Sequence, residues 1–277
     1  MLGISLQLFL IKAIIASALI SVSVLGSSPY IAMKGFSFLS VEVAHAILCG
    51  AALGILINRT FLTEVIDPLW IALAFSIASG LTAGFLGEKS RERLETAVGV
   101  MFALNMALAV LFMGMIPPDS LPRVWGYLIG DLFLLTENDM AFLITSSTMV
   151  GLSSLLFSKE FVYISFDEEG AIAHGLNARF YHYLMILMIS IATVSAVKAV
   201  GAILAYALMV IPGAVAMEFD LKVREAILLT FILSLTSQIT GIILSVIFSL
   251  PPGGVIGMMM FAIYLISIFK RAKFSKG

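Results

Sequence analysis

Two ionisable side chains, Glu42 and His45, lie inside an otherwise apolar stretch of membrane-spanning length, residues 38–57, whose only other ionisable group is the thiol of Cys49. An ionisable group at bilayer depth costs about 2.5–3.5 kcal/mol on insertion scales, so it usually faces a protein interior or an aqueous path. Their spacing of three places both on one helix face, within reach of a common ligand. A carboxylate oxygen and an imidazole nitrogen suit a divalent transition metal. We therefore predict metal translocation here, although an interhelical hydrogen bond that stabilises the bundle explains these two residues equally well.

The composition is typical of an integral helical membrane protein. The 277 residues are 61% hydrophobic and 12% charged, and their apolar runs exceed what a globular core helix needs. A soluble chain of this length could not bury so many apolar runs. The net charge of −1 and the absence of a basic, aromatic-rich patch indicate no nucleic-acid partner. We predict an all-α, polytopic protein of the plasma or inner membrane, in contact with membrane lipid.

The apolar runs predict about nine spans, with eight to ten as the range. They lie near residues 5–27, 38–57, 69–86, 96–116, 140–157, 181–197, 199–217, 226–248 and 254–269. The sixth and seventh are short and meet near Lys198, which indicates a hairpin or one broken helix. The apolar segment 125–135 is too short to span, so we predict that it is re-entrant or interfacial. Asp131 within it helps to gate the outer side or is solvated.

The distribution of positive charge predicts the orientation. If the C-terminus is cytoplasmic, twelve lysines and arginines fall on the cytoplasmic side, and only Arg59 and Arg123 fall on the opposite side. Cytoplasmic loops of membrane proteins carry an excess of these residues. The N-terminus is therefore predicted to lie outside and the C-terminus in the cytoplasm.

Small residues and one proline mark helix packing. Rows of small residues at intervals of four let helix backbones approach closely. They are Ala46, Gly50 and Gly54 in the second span, and Ser76, Gly80 and Gly84 in the third. Pro212 removes a helix hydrogen bond inside the seventh span and should bend it. A static kink is the default interpretation of this proline, and a gating hinge is the alternative.

The longest loop on the predicted cytoplasmic side, about 158–181, contains a short helix. Asp167 can cap the N-terminus of this helix, and Glu168 and Glu169 in its first turn favour the helix dipole. Gly175 suits a C-terminal cap. A short helix between two spans can dock on a partner, or it can lie on the surface without one. The apolar residues available for docking are Phe166, Ala171 and Ile172.

Three segments together resemble one family, the membrane permeases of zinc, manganese and iron ATP-binding-cassette importers. Residues 167–177 are similar to the family's coupling loop, residues 200–214 to its V-G-x-L-L span, and residues 44–54 to its S-H-A helix. Smaller similarities lie at residues 127–131 and 250–253. The segments follow the family's order and spacing from Lys12 almost to the C-terminus, so the series is specific although each motif is weak.

The resemblance implies one transmembrane permease domain over residues 1–277 that works as a homodimer. Two ATPase subunits would dock on the cytoplasmic face, and an extracytoplasmic metal-binding protein would deliver the ion. No cofactor would be bound permanently, because the zinc, manganese or iron ion is cargo. The residues that would couple to the ATPase are Phe166, Asp167, Glu168, Glu169 and Gly175. The chain has no phosphate-binding G-x-x-x-x-G-K-[ST] loop, so ATP would bind to the partner subunit and this chain would not itself be an enzyme.

The chain departs from the family pattern next to the histidine. The family carries an aspartate four residues before it, where this chain has Val41, and the carboxylate follows one place later at Glu42. The family's serine before the histidine is replaced by Ala44. Positions three and four before His45 both lie on its helix face, so Glu42 and His45 form the metal-ligand pair that the resemblance implies.

Two other functions compete with the importer. A secondary metal carrier would couple transport to protons through Glu42 and His45 and would need no ATP. A di-iron enzyme would need a second Glu-x-x-His and two further glutamates inside the bundle, which one chain cannot supply. Asn105 and Met106 are weaker candidates for lining a path, since isolated residues of these types are more often packing residues.

Overall fold

The computed structural model describes residues 2–60, 67–89, 94–130, 132, 135–219 and 221–274. These residues form eleven α-helices and, within the same ranges, no β-strand. The helices are α1 (Leu2–Lys34), α2 (Ser37–Thr60), α3 (Pro68–Lys89), α4 (Leu94–Met115), α5 (Leu121–Ile129), α6 (Glu137–Phe166), α7 (Glu168–Ala173), α8 (Ala178–Val200), α9 (Ala202–Met217), α10 (Val223–Phe248) and α11 (Pro252–Phe274).

Most of these helices are long and apolar enough to cross a membrane. Eight qualify in the described part of the chain, namely α1, α2, α3, α4, α6, α8, α10 and α11, and α9 is a shorter apolar helix of 16 residues. The predicted polytopic all-α protein with about nine apolar segments is confirmed. The segment predicted to be re-entrant contains the end of α5, a helix of only nine residues, and Asp131 lies outside the described residues.

Several helices extend beyond the predicted spans. Helix α1 continues to Lys34 with Pro29 inside it, and α6 continues to Phe166 through a kink at Phe157. Residues 158–166 contain no glycine or proline, so nothing in their local sequence stops the helix at the end of the apolar window. Because α8 begins at Ala178, much of the segment predicted as the loop 158–181 is helical.

The rows of small residues lie where helices touch by their backbones. A Cβ on Gly50 of α2 would lie 2.6 Å from the Cα of Ala72 on α3. A Cβ on Gly80 of α3 would lie 2.8 Å from the Oγ of Ser190 on α8. The two rows therefore pack α2 against α3 and α3 against α8, which confirms the predicted role in close helix packing.

Two glycines in the left-handed region join α5 to the junction between α8 and α9. Gly201, with φ of 82°, separates these two helices, and Gly130, with φ of 64°, ends α5. A Cβ on either glycine would collide with the backbone around the other. Only glycine satisfies both the dihedral angle and the contact at these positions.

Two lysines in or beside the spans, Lys12 and Lys198, are each paired with an acid. Lys12 of α1 forms an ion pair with Glu137 at the start of α6. Lys198 of α8 lies 3.2 Å from Asp139 of α6, with its ammonium group 5.1 Å from the centre of the Tyr127 ring. These contacts explain how the bundle accommodates cations next to apolar segments.

Pro212 lies inside α9 at a contact with α1. The N–H of the next residue, Gly213, donates a hydrogen bond of 2.8 Å to the Oγ of Ser28. A Cβ on Gly213 would collide with the Ser28 carbonyl. The helix turn after the proline is therefore docked on α1, and the role of Pro212 as a kink or a gate stays a prediction.

Candidate functional site

The Glu42 carboxylate is completely enclosed between α2, α3 and α4. Its side chain is 0% exposed, and α2 packs against both neighbouring helices. Oε1 accepts a hydrogen bond of 2.5 Å from the Oγ of Ser79 on α3 and one of 2.6 Å from the Nδ2 of Asn105 on α4. The same amide nitrogen also donates to the Ser79 Oγ at 2.7 Å. We call these three residues, Glu42, Ser79 and Asn105, the Glu42 cluster.

The second carboxylate oxygen of Glu42 has no such partner. Oε2 is buried and forms no hydrogen bond with any of the described residues. Buried polar atoms in folded proteins are nearly always hydrogen-bonded, and leaving one unpaired costs about 1–3 kcal/mol. The enclosed carboxylate therefore presents one occupied oxygen and one open acceptor.

His45, one turn further along α2, is only half-buried. Its Nδ1 lies 2.8 Å from the carbonyl oxygen of Val41, which can only accept, so Nδ1 carries the proton. In the neutral ring Nε2 then has a free lone pair, the form in which histidine binds a metal. The ring packs edge-on against Phe102 of α4, with 5.2 Å between ring centres.

The two predicted ligands, Glu42 and His45, both contact α4. Within the described residues, no hydrogen bond joins one to the other. Glu42 reaches Asn105 of α4, and His45 reaches Phe102, almost one turn earlier on that helix. Both side chains thus lie along the contact between α2 and α4. The structure brings Glu42 together with polar side chains of α3 and α4 rather than directly with His45.

Sequence reasoning missed Ser79 and ranked Asn105 only as a weaker candidate for lining a path. Ser79 is 4% exposed and Asn105 is 1% exposed, so both polar groups are deep in the bundle. The available signal was an amide and a hydroxyl in the apolar spans adjacent to α2. A serine is too common in such helices to be singled out, because it satisfies itself on its own backbone or at small-residue contacts.

No closed metal cage is built within the part of the chain that the structure describes. No group of three or more His, Cys, Asp or Glu side chains there could hold a metal ion. Glu42 and His45 supply one oxygen donor and one nitrogen donor. An incomplete set of this kind suits an ion that must leave again better than it suits a structural ion.

The short helix predicted between the fifth and sixth spans is present as α7 and is capped at both ends. The Oδ1 of Asp167 accepts a hydrogen bond of 2.8 Å from the N–H of Gly170. Gly175, with φ of 83°, turns the chain, and its N–H donates to the carbonyl of Ile172 at 2.9 Å. These contacts confirm both predicted caps.

Helix α7 is fixed to α1 on one side and exposed on the other. The Nζ of Lys34 lies 2.5 Å from the Oε2 of Glu168 and donates to the carbonyl of Ile164 at 3.0 Å. Phe166 and Ile172 are 64% and 58% exposed, and Glu169 is exposed beside them. Ala171 is fully buried, so it is not available for docking, contrary to the prediction. The remaining apolar side chains form a free outer surface in this chain.

A second ionic contact lies beside α7, at the end of α3. Arg179 lies 3.0 Å from the Oε1 of Glu88, and the Tyr183 hydroxyl donates to the Oε2 at 2.7 Å. A cavity of about 200 Å³ separates this contact from α7. His182 lines the cavity and packs edge-on against Phe36. The lining residues are Gly84, Gly87, Glu88, Leu94, Glu168, Arg179 and His182.

Comparisons with known proteins agree with the motifs. Residues 7–271 match the profile of the ABC 3 transport family. The manganese transport system membrane protein MntC of Listeria innocua is 32% identical over 267 residues, which cover 96% of this chain and 91% of the relative. The manganese import system permease protein ScaB of Streptococcus gordonii is 26% identical over 265 residues, which cover 96% and 92%.

A solved structure has the same fold. A chain of PsaBC from Streptococcus pneumoniae, solved in complex with Fab, superposes with a TM-score of 0.79 over 96% of this chain and 95% of its own, at 22% identity. The resemblance drawn from the coupling loop, the S-H-A helix and the V-G-x-L-L span is therefore confirmed. Because the family profile spans almost the whole length and the Listeria relative covers nearly all of it, this multi-pass membrane protein belongs to the ABC 3 transport family.

Proposed function

We propose that this chain is the membrane subunit of an ATP-driven importer that carries a divalent transition metal into the cytoplasm, with manganese as its main cargo. The observation that carries this proposal is the near full-length similarity to permeases of manganese transport systems. Zinc and iron are the competing cargoes. Selection of manganese over zinc and iron depends on site geometry as well as ligand type, because the intrinsic affinity order of the divalent metals favours zinc and iron.

The metal contacts Glu42 and His45 on its way through the bundle. Support comes from the open Oε2 of Glu42, from the Nε2 lone pair of His45, and from their common position along α4. Two donors per chain bind an ion weakly enough for it to leave. In a homodimer the same pair from a second copy would double the donor number around the two-fold axis.

The energy for transport enters through α7. Phe166, Asp167, Glu168, Glu169 and Gly175 form or flank this helix, whose two caps make it a rigid element. The exposed Phe166 and Ile172 suit the docking of an ATPase subunit, and the Lys34–Glu168 ion pair connects α7 to α1. Two such subunits and an extracytoplasmic metal-binding protein complete the assembly. The orientation with the N-terminus outside and the C-terminus in the cytoplasm is part of this proposal.

Reconstitution tests the proposal directly. The tagged chain is purified with its accompanying proteins from native membranes and placed in liposomes with the metal-binding protein added outside. We expect Mn²⁺ uptake that requires ATP. Zinc and ferrous ions should compete for this uptake less effectively than Mn²⁺ itself. Mn²⁺ uptake by the chain alone, driven by a pH gradient without ATP, would establish the secondary carrier instead.

A further inference from the structure

We propose that Ser79 and Asn105 are positioning residues that fix the Glu42 carboxylate so that its Oε2 faces the passing ion and favours Mn²⁺ over Zn²⁺. This inference rests on the proposed function of Glu42 as a ligand of the cargo. It assigns a role in transport to two side chains from two further helices.

The directions of the hydrogen bonds in the Glu42 cluster follow from the chemistry of its groups. The Asn105 amide has two hydrogens, and its Nδ2 lies 2.6 Å from the Glu42 Oε1 and 2.7 Å from the Ser79 Oγ. The serine hydroxyl, which accepts the second of these bonds, donates its own hydrogen to the same Oε1 at 2.5 Å. Three donated hydrogens thus close a ring, and two of them end on one carboxylate oxygen. Of the two carboxylate oxygens of Glu42, Oε2 is left without a partner among the described residues.

The cluster is needed because of where Glu42 lies on α2. At about 100° per residue, position 41 lies about 40° to one side of His45 and position 42 about 60° to the other. Val41 is half-buried, whereas Glu42 points fully into the bundle. A long glutamate side chain in this position has several rotamers, and ordering it is unfavourable unless contacts select one of them. The donors on α3 and α4 select that rotamer.

Rigid packing holds the donors in place. Backbone contact between α2 and α3 at Gly50 brings α3 close enough for the short Ser79 side chain to reach Glu42. The neighbouring Gly80 is wedged between Val43 of α2 and Ser190 of α8, since a Cβ there would lie 3.1 Å and 2.8 Å from their side chains. Ligands held by packed helices keep their geometry better than ligands on loops.

Metal preference supplies a readout that a purely structural role would not change. Carboxylate oxygens suit Mn²⁺, whereas imidazole binds Zn²⁺ well. A misplaced Glu42 carboxylate should therefore weaken Mn²⁺ transport more than Zn²⁺ transport, because His45 is left unchanged. General damage to the bundle would lower both equally.

The experiment compares KM and maximum rate for Mn²⁺ and Zn²⁺ in the reconstituted complex. We expect Ser79→Ala and Asn105→Leu to raise the KM for Mn²⁺ about tenfold, as expected for one lost hydrogen bond to a charged group. The KM for Zn²⁺ should change less than threefold, and Ser79→Thr, which keeps the hydroxyl, should restore Mn²⁺ transport. The matched control is Ser76→Ala on the same helix, because the Ser76 Oγ is equally buried but has no hydrogen-bond partner among the described residues.

The outcomes separate this inference from the proposed function. Equal losses for the two metals, or the same loss in Ser76→Ala, overturn the positioning role. If Glu42→Ala abolishes uptake while Ser79→Ala and Asn105→Leu transport normally, only this inference fails. If Glu42→Ala transports normally, the proposed ligand role of Glu42 fails together with this inference, whereas the importer function, which rests on the similarity to manganese permeases, does not. Should Asn105→Leu not assemble, the Ser79→Ala and Ser79→Thr pair decides the question alone.

Discussion

The Glu42 cluster inside the bundle and the Lys34–Glu168 ion pair of α7 hold a glutamate in opposite ways. Glu42 is fully enclosed and bound by two neutral donors, whereas Glu168 is half-exposed and bound by the cation of Lys34. Removing one partner from a buried polar group costs about 1–3 kcal/mol, because the other is left unpaired away from water. An exposed ion pair contributes about 0–1 kcal/mol, since water and salt replace it. The Glu42 contact, although both of its donors are neutral, is therefore expected to be the more sensitive one.

The largest effect is expected at His45. In the reconstituted complex, His45→Ala should lower Mn²⁺ uptake by at least about a hundredfold, because it removes the only nitrogen ligand that we assign to the path. Assembly, measured by size-exclusion chromatography, should be unchanged, since the ring is only half-buried. Cys49→Ala, one turn later on α2, is the control and should transport normally. Normal Mn²⁺ uptake by His45→Ala would show that His45 is not a metal ligand on the path.

Two substitutions of Glu42 distinguish the loss of its charge from the loss of the hydrogen bonds in the Glu42 cluster. Glu42→Gln keeps an oxygen for Ser79 and Asn105, so the Tm should change little. Mn²⁺ uptake should drop about tenfold or more, because the charged carboxylate ligand is lost. Glu42→Ala leaves both donors without their acceptor and should also lower the Tm by several degrees. Thermal unfolding in detergent and uptake in liposomes measure the two effects. Equal Tm values for the two variants would contradict the stabilising role of the cluster.

The turn at the end of α7 tests the coupling role with a matched pair of variants. Gly175→Val places a β-branched residue at a φ of 83°, which costs about 1–2 kcal/mol and should distort the turn. Gly175→Asn tolerates the left-handed region and should behave more like the native chain. Purification of the tagged chain should recover several times less ATPase with the valine variant than with the asparagine variant. Equal recovery of the ATPase with both variants would show that the turn at Gly175 has no part in ATPase docking.

The smallest effect is expected for the Lys34–Glu168 ion pair, whose glutamate is half-exposed. Glu168→Gln should change the Tm by no more than a few degrees and the uptake rate by about twofold, because the pair with Lys34 lies partly in solvent. The effect should shrink further at high salt, where exposed charges are screened. If Glu168→Gln lowered the Tm as much as Glu42→Ala, burial would not be what distinguishes the two regions.

Much of this protein could be predicted from local sequence. The apolar runs predicted about nine segments, since the cost of transfer into a bilayer depends on composition, and α7 was predicted because its caps involve residues only a few positions apart. The ends of α1 and α6 were not predicted. Hydropathy marks the apolar length of a helix, whereas the helix itself continues until its sequence or its packing stops it.

The sequence by itself determined the class of the protein and pointed to Glu42 and His45, because an acid and an imidazole at bilayer depth are too costly to be accidental. Only the tertiary structure decided which side chains surround them. Ser79 and Asn105 lie 37 and 63 residues from Glu42 along the chain. They reach it because α2, α3 and α4 pack closely, with α2 and α3 in backbone contact at Gly50. Such meetings depend on how whole helices pack, and no local pattern of residues encodes them.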